Sequence, residues 1–475
     1  MSKTTLMPMQ PRVTQYGIAP ENLKMRAVDL AGMTSILVKE LFPGIPDPVY
    51  PGNEVSVIRE HATAAISKVD LSKIKPGDSV NILGSHHGFT LLGGEPYAEV
   101  LRTVRDIIAE RTGTQDIRLR VGVGLRFRES EEYIKRFELD KYFDGKAEGI
   151  APVDRPIVIE TEIGALYGLK KAYDAKWIIH THNSDVREVH FHRQVDRILK
   201  PFGMSYARIE TRSTYHHNLG PRGANFIARA IFDSPLVQEK FIAAVILQVS
   251  PSGIIGIDAD NDIYRQNERI TVESLNHYGR LVRLLNKIDK CIAVIDCPGP
   301  IPYTFAGGLI FANFLSANVD PFDLDLPLTP YCFFAEMAYN RQGQPRFPGV
   351  PPINPSMKAV INNYSFKGYP SSFFAEQTPT IVVGNEMAKL FESCPQNPEY
   401  MKHAVVSKDL ESAVKFAQKI GDTDQIIVFD GAEGGINVSE SLRELMTSKA
   451  NEVSEEVKQD LMPKWLRQRN VSNRA

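Results

Sequence analysis

Residues 175–209 read AKWIIHTHNSDVREVHFHRQVDRILKPFGMSYARI. The stretch opens on a short apolar run, Trp177–His180, with two adjacent isoleucines. A run of this length is too short for a buried helix and suits a strand covered on both faces, as in a parallel sheet. It then turns polar and rich in histidine. A cluster of reactive side chains therefore stands where a strand runs out, and open α/β sheets bind their ligands beyond the carboxyl ends of strands.

The same unit recurs on both sides of this stretch. Further strands are predicted at Ser79–Leu83, Ile117–Val123, Ile157–Glu160, Ala243–Val249, Cys291–Ile295, Thr380–Val383, His403–Val406 and Gln425–Phe429. Helices are predicted at Pro96–Arg111, Ser130–Leu139, Gly164–Tyr173, Leu236–Ala244, Thr271–Lys287 and Leu410–Ile420. This alternation implies an α/β fold with mostly parallel sheets flanked by helices. With 475 residues, two or three domains are expected. The helix that ends near Asp289 and the new strand at Cys291 put a boundary between them. An N-terminal α/β domain over 1–288 then carries the histidine cluster, and a C-terminal α/β domain covers 289–449. A charged helical tail with a frayed end is expected over 450–475, and the proline-rich 345–355, PRFPGVPPINP, reads as a long loop.

Composition excludes several classes of function. Net charge is −2, so neither nucleic acid nor an anionic membrane is expected as the main partner. The four cysteines, Cys291, Cys297, Cys332 and Cys394, form no CxxC pair, which argues against a disulfide framework and a zinc ribbon. Residues 1–20 carry three prolines and no apolar signal core, and no run approaches the roughly 20 apolar residues that span a bilayer. The expectation is a soluble protein in the reducing cytoplasm.

Six of the eleven histidines fall between positions 180 and 217: His180, His182, His190, His192, His216 and His217. Histidine titrates near neutrality and is the commonest metal ligand, so such a cluster suggests proton transfer, metal binding or both. His180/His182 and His190/His192 have i, i+2 spacing, which on a strand puts both members on one face, where each pair could chelate one metal. No HExxH pattern appears, so a conventional zinc protease site is not supported. Lys200 precedes Pro201 and is expected at a bend, because a residue before proline is pushed out of the helical region. A lysine beside the cluster could form a covalent link to substrate or cofactor.

Three further turns follow predicted strands. Gly84–Gly88 contains His86 and His87; VGVGLRFR, residues 121–128, offers Arg126 and Arg128 for two-pronged binding of a carboxylate; PGPIPYTFAGG, residues 298–308, offers Tyr303 and Thr304. A late turn, Asp430–Gly435, follows the strand Gln425–Phe429. Each of these residues also has a plainer reading, as a solvated side chain or the closure of a tight turn.

Taken in chain order, GSHHGFT (84–90), VGVGLRFRESEE (121–132), the stretch 175–209, YHHNLG (215–220), AAVILQVSPSGIIGIDAD (243–260), CIAVIDCPGP (291–300) and IIVFDGAEGG (426–435) resemble the nickel-dependent lactate racemase family. The resemblance covers most of residues 75–435 and implies two domains with a cleft between them. It also implies a nickel-pincer nucleotide attached covalently to a lysine, a histidine ligand to the nickel, and two histidines that exchange protons on opposite faces of the substrate. The family spacing of acid/base histidine, lysine and ligand histidine falls here on His190, Lys200 and His216. By resemblance, His190 acts as acid/base, Lys200 tethers the cofactor and His216 binds the metal.

The chain departs from the family at several points. FHRQVDRIL stands before the lysine where the family carries glycines. Arg126 occupies the place of the second acid/base histidine, and arginine, with a pKa above about 12, is a poor proton shuttle. His86, His87, His182 and His192 remain as sources of the second base. The substrate residues that the family carries in its second domain have no counterpart in PYTFAGGLIFAN (302–313). The leading expectation is a racemase or epimerase of a 2-hydroxy acid, with Arg126 or Arg128 on the substrate carboxylate. The alternatives are a metal-dependent lyase or hydrolase that uses the histidine cluster directly, and a non-catalytic protein that binds a ligand or cofactor.

Overall fold

A computed structural model describes residues 25–50, 52, 54–123, 129–186, 197–217, 226–297, 320–326, 354–365, 372–393, 399–430 and 432–471. The fold is α/β, with two mostly parallel sheets flanked by helices. All nine predicted strands are present.

The six-stranded sheet has the order β4-β3-β2-β7-β8-β9. Its members are β2 (Ser79–Ser85), β3 (Asp116–Gly122), β4 (Ala147–Ile150), β7 (Trp177–Asn183), β8 (Phe241–Ser250) and β9 (Gly253–Asp260). All neighbours are parallel except β8 and β9. Six of the seven residues of β2 and of β7 are buried, as expected of strands covered on both faces. The crossover from β2 to β3 is α1 (Glu95–Thr112), which starts with Pro96 in its first turn and ends on Gly113 at φ +72°, the left-handed stop that favours glycine.

The seven-stranded sheet has the order β1-β15-β14-β10-β11-β12-β13. It is built from β1 (Met33–Leu37), β10 (Cys291–Cys297), β11 (Met357–Ser365), β12 (Thr380–Val383), β13 (Ala404–Ser407), β14 (Ile426–Phe429) and β15 (Gly435–Ser439). A division of the chain at residue 288 therefore leaves β1 on the wrong side. This strand pairs antiparallel with β15, with Met33 opposite Ser439 and Leu37 opposite Gly435. It buries Met33 and Ile36 and covers the edge that β15 would otherwise expose.

Two predicted helices are strands. Gly164–Leu169 is β6, the second arm of a hairpin with β5 (Pro156–Thr161), and Gly164 takes φ +106° at the turn. The β-branched residues of β5 and the alternation of ALYGL fit cross-strand pairing better than a helix. Leu236–Ala244 is one helical turn, Pro235–Gln238, followed by β8. The buried run FIAAVILQVS satisfies its backbone in the sheet between β7 and β9.

The longest described helix, α4 (Ile263–Leu285), is capped by Asp262, whose carboxylate accepts from the N–H groups of Tyr264 and Arg265. The chain end packs against this helix. Trp465 is buried, and a Cβ at Gly279 would lie 2.5 Å from its ring. The Trp465 indole donates to Asp320 at 2.7 Å. The charged tail is a folded helical segment, Glu440–Gln468 with a π turn at Val457–Leu461, and residues 472–475 lie outside the described residues. Among the described residues no helix is long and apolar enough to cross a membrane.

Candidate functional site

In the six-stranded sheet the chain runs outward from β2 to β3 and β4 on one side, and from β7 to β8 and β9 on the other. The strand order reverses between β2 and β7, and the crevice beyond the carboxyl ends of strands at such a reversal is where open α/β sheets take ligands. Ser85, His86 and His87 stand at the end of β2, His182 is near the end of β7 and His180 is at its middle.

A buried network ties these two strand ends together. The Tyr97 hydroxyl of α1 lies 2.7 Å from Thr181 Oγ1, donates to the Thr181 carbonyl at 3.1 Å, and accepts from the Ser85 N–H at 3.3 Å. Burial pushes this phenol up to about 12, so it stays protonated. Gly88 is required here, because a Cβ would come within 2.2 Å of the Tyr97 ring. Asn183 Nδ2 donates to the His87 carbonyl at 3.0 Å, which holds the His86–Thr90 turn against β7. The His86 and His87 rings lie 3.9 Å apart between centroids; His86 is buried and His87 half-buried.

The segment 198–206 crosses the ends of three strands. Ser205 Oγ lies 3.0 Å from Ser85 Oγ of β2. The Ser205 carbonyl passes so close to β3 that a Cβ on Gly122 would sit 2.2 Å from it. The third anchor is His180 of β7. Its Nε2 is 2.7 Å from the Ile198 carbonyl oxygen and its Nδ1 is 3.1 Å from the Tyr206 hydroxyl. A carbonyl only accepts, so Nε2 carries the proton and the Tyr206 hydroxyl donates to Nδ1. Burial pushes the His180 imidazole down to about 4, and the ring is neutral. His180 and His182 share a face, but their centroids are 6.2 Å apart and both His180 nitrogens are engaged. The pair does not chelate a metal in this arrangement.

Lys200 is buried on this segment, as the first residue of α2 (Lys200–Gly203). The expected bend is a helical start, because Pro201 in a first turn lacks only an N–H that would have no helical partner. The next helix, α3 (Ile209–His217), ends with His216 and His217, whose side chains lie outside the described residues. Arg212, one turn before His216, is buried and donates from Nε to the Ala207 carbonyl at 2.8 Å, which joins α3 to the Lys200 segment. Burial lowers its guanidinium to about 10. His86 and His87 follow β2, His182 lies on the neighbouring β7, and Lys200 is on the segment that Ser205 and His180 join to these two strands. His190, His192, Arg126, Arg128 and Tyr303 lie outside the described residues. Tyr97, Ser205 and Arg212 carry no sequence signal, because isolated residues of these types form no pattern, whereas Ser85 lies in the Gly84–Gly88 turn.

The Asp430–Gly435 turn contributes from the other sheet. Its buried Glu433 accepts from the Leu92 N–H at 3.2 Å, just beyond the His86–Thr90 turn. The seven-stranded sheet has its own reversal, between β10 and β14. There Asp296 is fully buried and accepts from Arg26 Nε at 2.8 Å, the Ala27 N–H at 2.8 Å and Asn363 Nδ2 at 2.9 Å. Residues 25–27 therefore fill that position.

Among the described residues no group of three or more His, Cys, Asp or Glu is placed to hold a metal. No family model matches the chain, and no curated protein matches it. Among solved structures, the chain is similar to the lactate racemase apoprotein from Thermoanaerobacterium thermosaccharolyticum, at 13% identity and a TM-score of 0.40, over 83% of this chain and 95% of that one.

Proposed function

We propose that this protein is a racemase or epimerase of a small 2-hydroxy acid, working with a nickel-pincer nucleotide attached to Lys200. One observation carries the reading: a buried lysine sits on a segment pinned across β2, β3 and β7, at the sheet's order reversal. A buried lysine on this segment suits covalent attachment better than solvation, since lysine is rarely buried without a task. The residues fit such a group in this respect, with His216 as the proposed protein ligand to nickel. When bound, the nucleotide supplies hydride acceptance and return, which no side chain offers.

The chain's own part is proton transfer and orientation. A neutral imidazole takes the substrate hydroxyl proton and gives it back. His190 is proposed for one face and His182, His192, His86 or His87 for the other. Arg126 or Arg128 would hold the carboxylate by a bidentate hydrogen bond. Tyr303 is proposed to line the substrate side from the second domain. His180 is excluded from proton exchange because both its nitrogens are committed.

The test is intact mass and metal analysis of protein produced with the cofactor-synthesis machinery. A mass increment mapping to Lys200, with about one nickel per chain, is expected, and Lys200→Ala should lose both. An unmodified chain carrying another metal would overturn the reading in favour of direct metal catalysis. An unmodified, metal-free chain, from a host that loads a lactate racemase, would leave a non-catalytic binding protein.

A further inference from the structure

We infer that His180 is a positioning residue for Lys200: its imidazole clamps the two ends of the turn that carries the lysine. The inference rests on Lys200 being the working lysine of the proposed site. Ile198 lies two residues before Lys200 and Tyr206 six residues after it. One ring therefore joins both flanks of the turn, by donation from Nε2 to the Ile198 carbonyl and acceptance at Nδ1 from the Tyr206 hydroxyl.

The Tyr206 end is held independently. Its N–H donates to the Pro201 carbonyl at 2.8 Å, and its carbonyl accepts from the Leu169 N–H of β6 at 2.9 Å. The hydrogen bond from His180 to the Ile198 carbonyl fixes the entry to the turn to β7. The ring is fixed in turn by packing, with the Phe202 centroid at 5.2 Å and the Tyr206 centroid at 5.7 Å. Phe202 belongs to the same helical turn as Lys200. The strand supplies rigidity, and the imidazole carries it to the lysine.

Amide side chains separate the two hydrogen bonds. Glutamine places its amide near the Nε2 position and can still donate to Ile198. Asparagine reaches only the Nδ1 position, so it can keep Tyr206 but loses Ile198. The assay is acylation of Lys200 in the folded full-length chain by a small amine-reactive ester, mapped by peptide mass, and it needs no cofactor. Exposed Lys141 serves as the internal standard. Losing one buried hydrogen bond should raise the local-opening population about tenfold, so His180→Asn should speed Lys200 acylation by about that factor. His180→Gln should stay within about threefold of the unaltered chain.

Equal protection in both variants, or equal acceleration in both, would overturn the clamp, the second result pointing to ring volume alone. If His180→Asn does not fold, Tyr206→Phe replaces it: the hydroxyl fixes the imidazole at Nδ1 and so aims Nε2 at the Ile198 carbonyl, its removal should speed acylation by about threefold or more, and no change would sink the idea. In protein made with the cofactor machinery, His180→Gln should match the unaltered chain in nickel content. Loss of nickel with Lys200 still protected would make His180 a ligand and overturn the inference. Absence of nickel from both would refute the proposed function while the acylation result still decides the clamp.

Discussion

The two sheets offer the same topological opportunity and use it differently. At the β2/β7 reversal the chain places four histidines (His86, His87, His180 and His182), a serine pair and a buried lysine. At the β10/β14 reversal it places Asp296, whose carboxylate is taken up by Arg26, Ala27 and Asn363. Parallel strands that diverge create a crevice by geometry alone, so the fold supplies two. Side chains then decide which one works. The second is filled by the chain's own residues 25–27, which enter beside β1. It is a joint that locks the N-terminal segment onto the seven-stranded sheet, while the first is the site proposed for chemistry.

The largest effect should come from breaking the filled crevice. Asp296→Ala strips the acceptor from the Ala27 N–H, one of two acceptors from the Asn363 amide, and the carboxylate that faces Arg26 Nε, while Arg26 Nη2 still donates to the Asp296 carbonyl. A loss of about 4 kcal/mol is expected, since each orphaned buried group costs about 1–3 kcal/mol. Urea unfolding measures it, and a loss below about 1 kcal/mol would mean that the crevice is not sealed in this way.

The next effect is pH dependence from the working crevice. The His180 imidazole is pushed down to about 4 in the folded chain, against an ordinary value near 6.5. The unfolded chain therefore binds the proton more tightly. This contribution is fully present above about pH 6.5, falls as pH drops toward about 4, and changes no further below that, for a total of about 3 kcal/mol. His277, also lowered to about 4 by burial on α4, adds a term of the same sign. His180→Gln should flatten the dependence near pH 5 by about one proton, read as the slope of unfolding free energy against pH. An unchanged slope would show that His180 is not buried neutral.

The smallest effect is steric. Gly122→Ala drives a Cβ into the Ser205 carbonyl, so the Lys200 segment must lift from β3. A destabilisation of about 2 kcal/mol is expected from urea unfolding, with faster acylation of Lys200. Normal stability with unchanged acylation would mean that the segment does not lie against β3.

Much of the framework is legible in the sequence. Short β-branched runs such as Trp177–His180 and Cys291–Ile295 can bury both faces only inside a covered sheet, and the turns that follow them hold His86, His182 and Asp430. Elements with mixed composition were harder. β11, MKAVINNYS, carries Asn362 and Asn363 in its interior, and these are satisfied by partners distant in sequence, Tyr400 and Asp296. The hairpin β5–β6 was misread at Gly164, where a turn glycine looked like the start of a helix.

The sequence by itself determined the α/β class and the strands that carry His180 and precede His86, because periodicity and chain order are local properties. Only the tertiary structure decided that β1 completes the other sheet, that Arg26 fills the second crevice, and that His180 is bound at both nitrogens. Each of those depends on which distant groups meet, and a hydrogen-bonding atom is committed or left for chemistry only once its neighbours are in place.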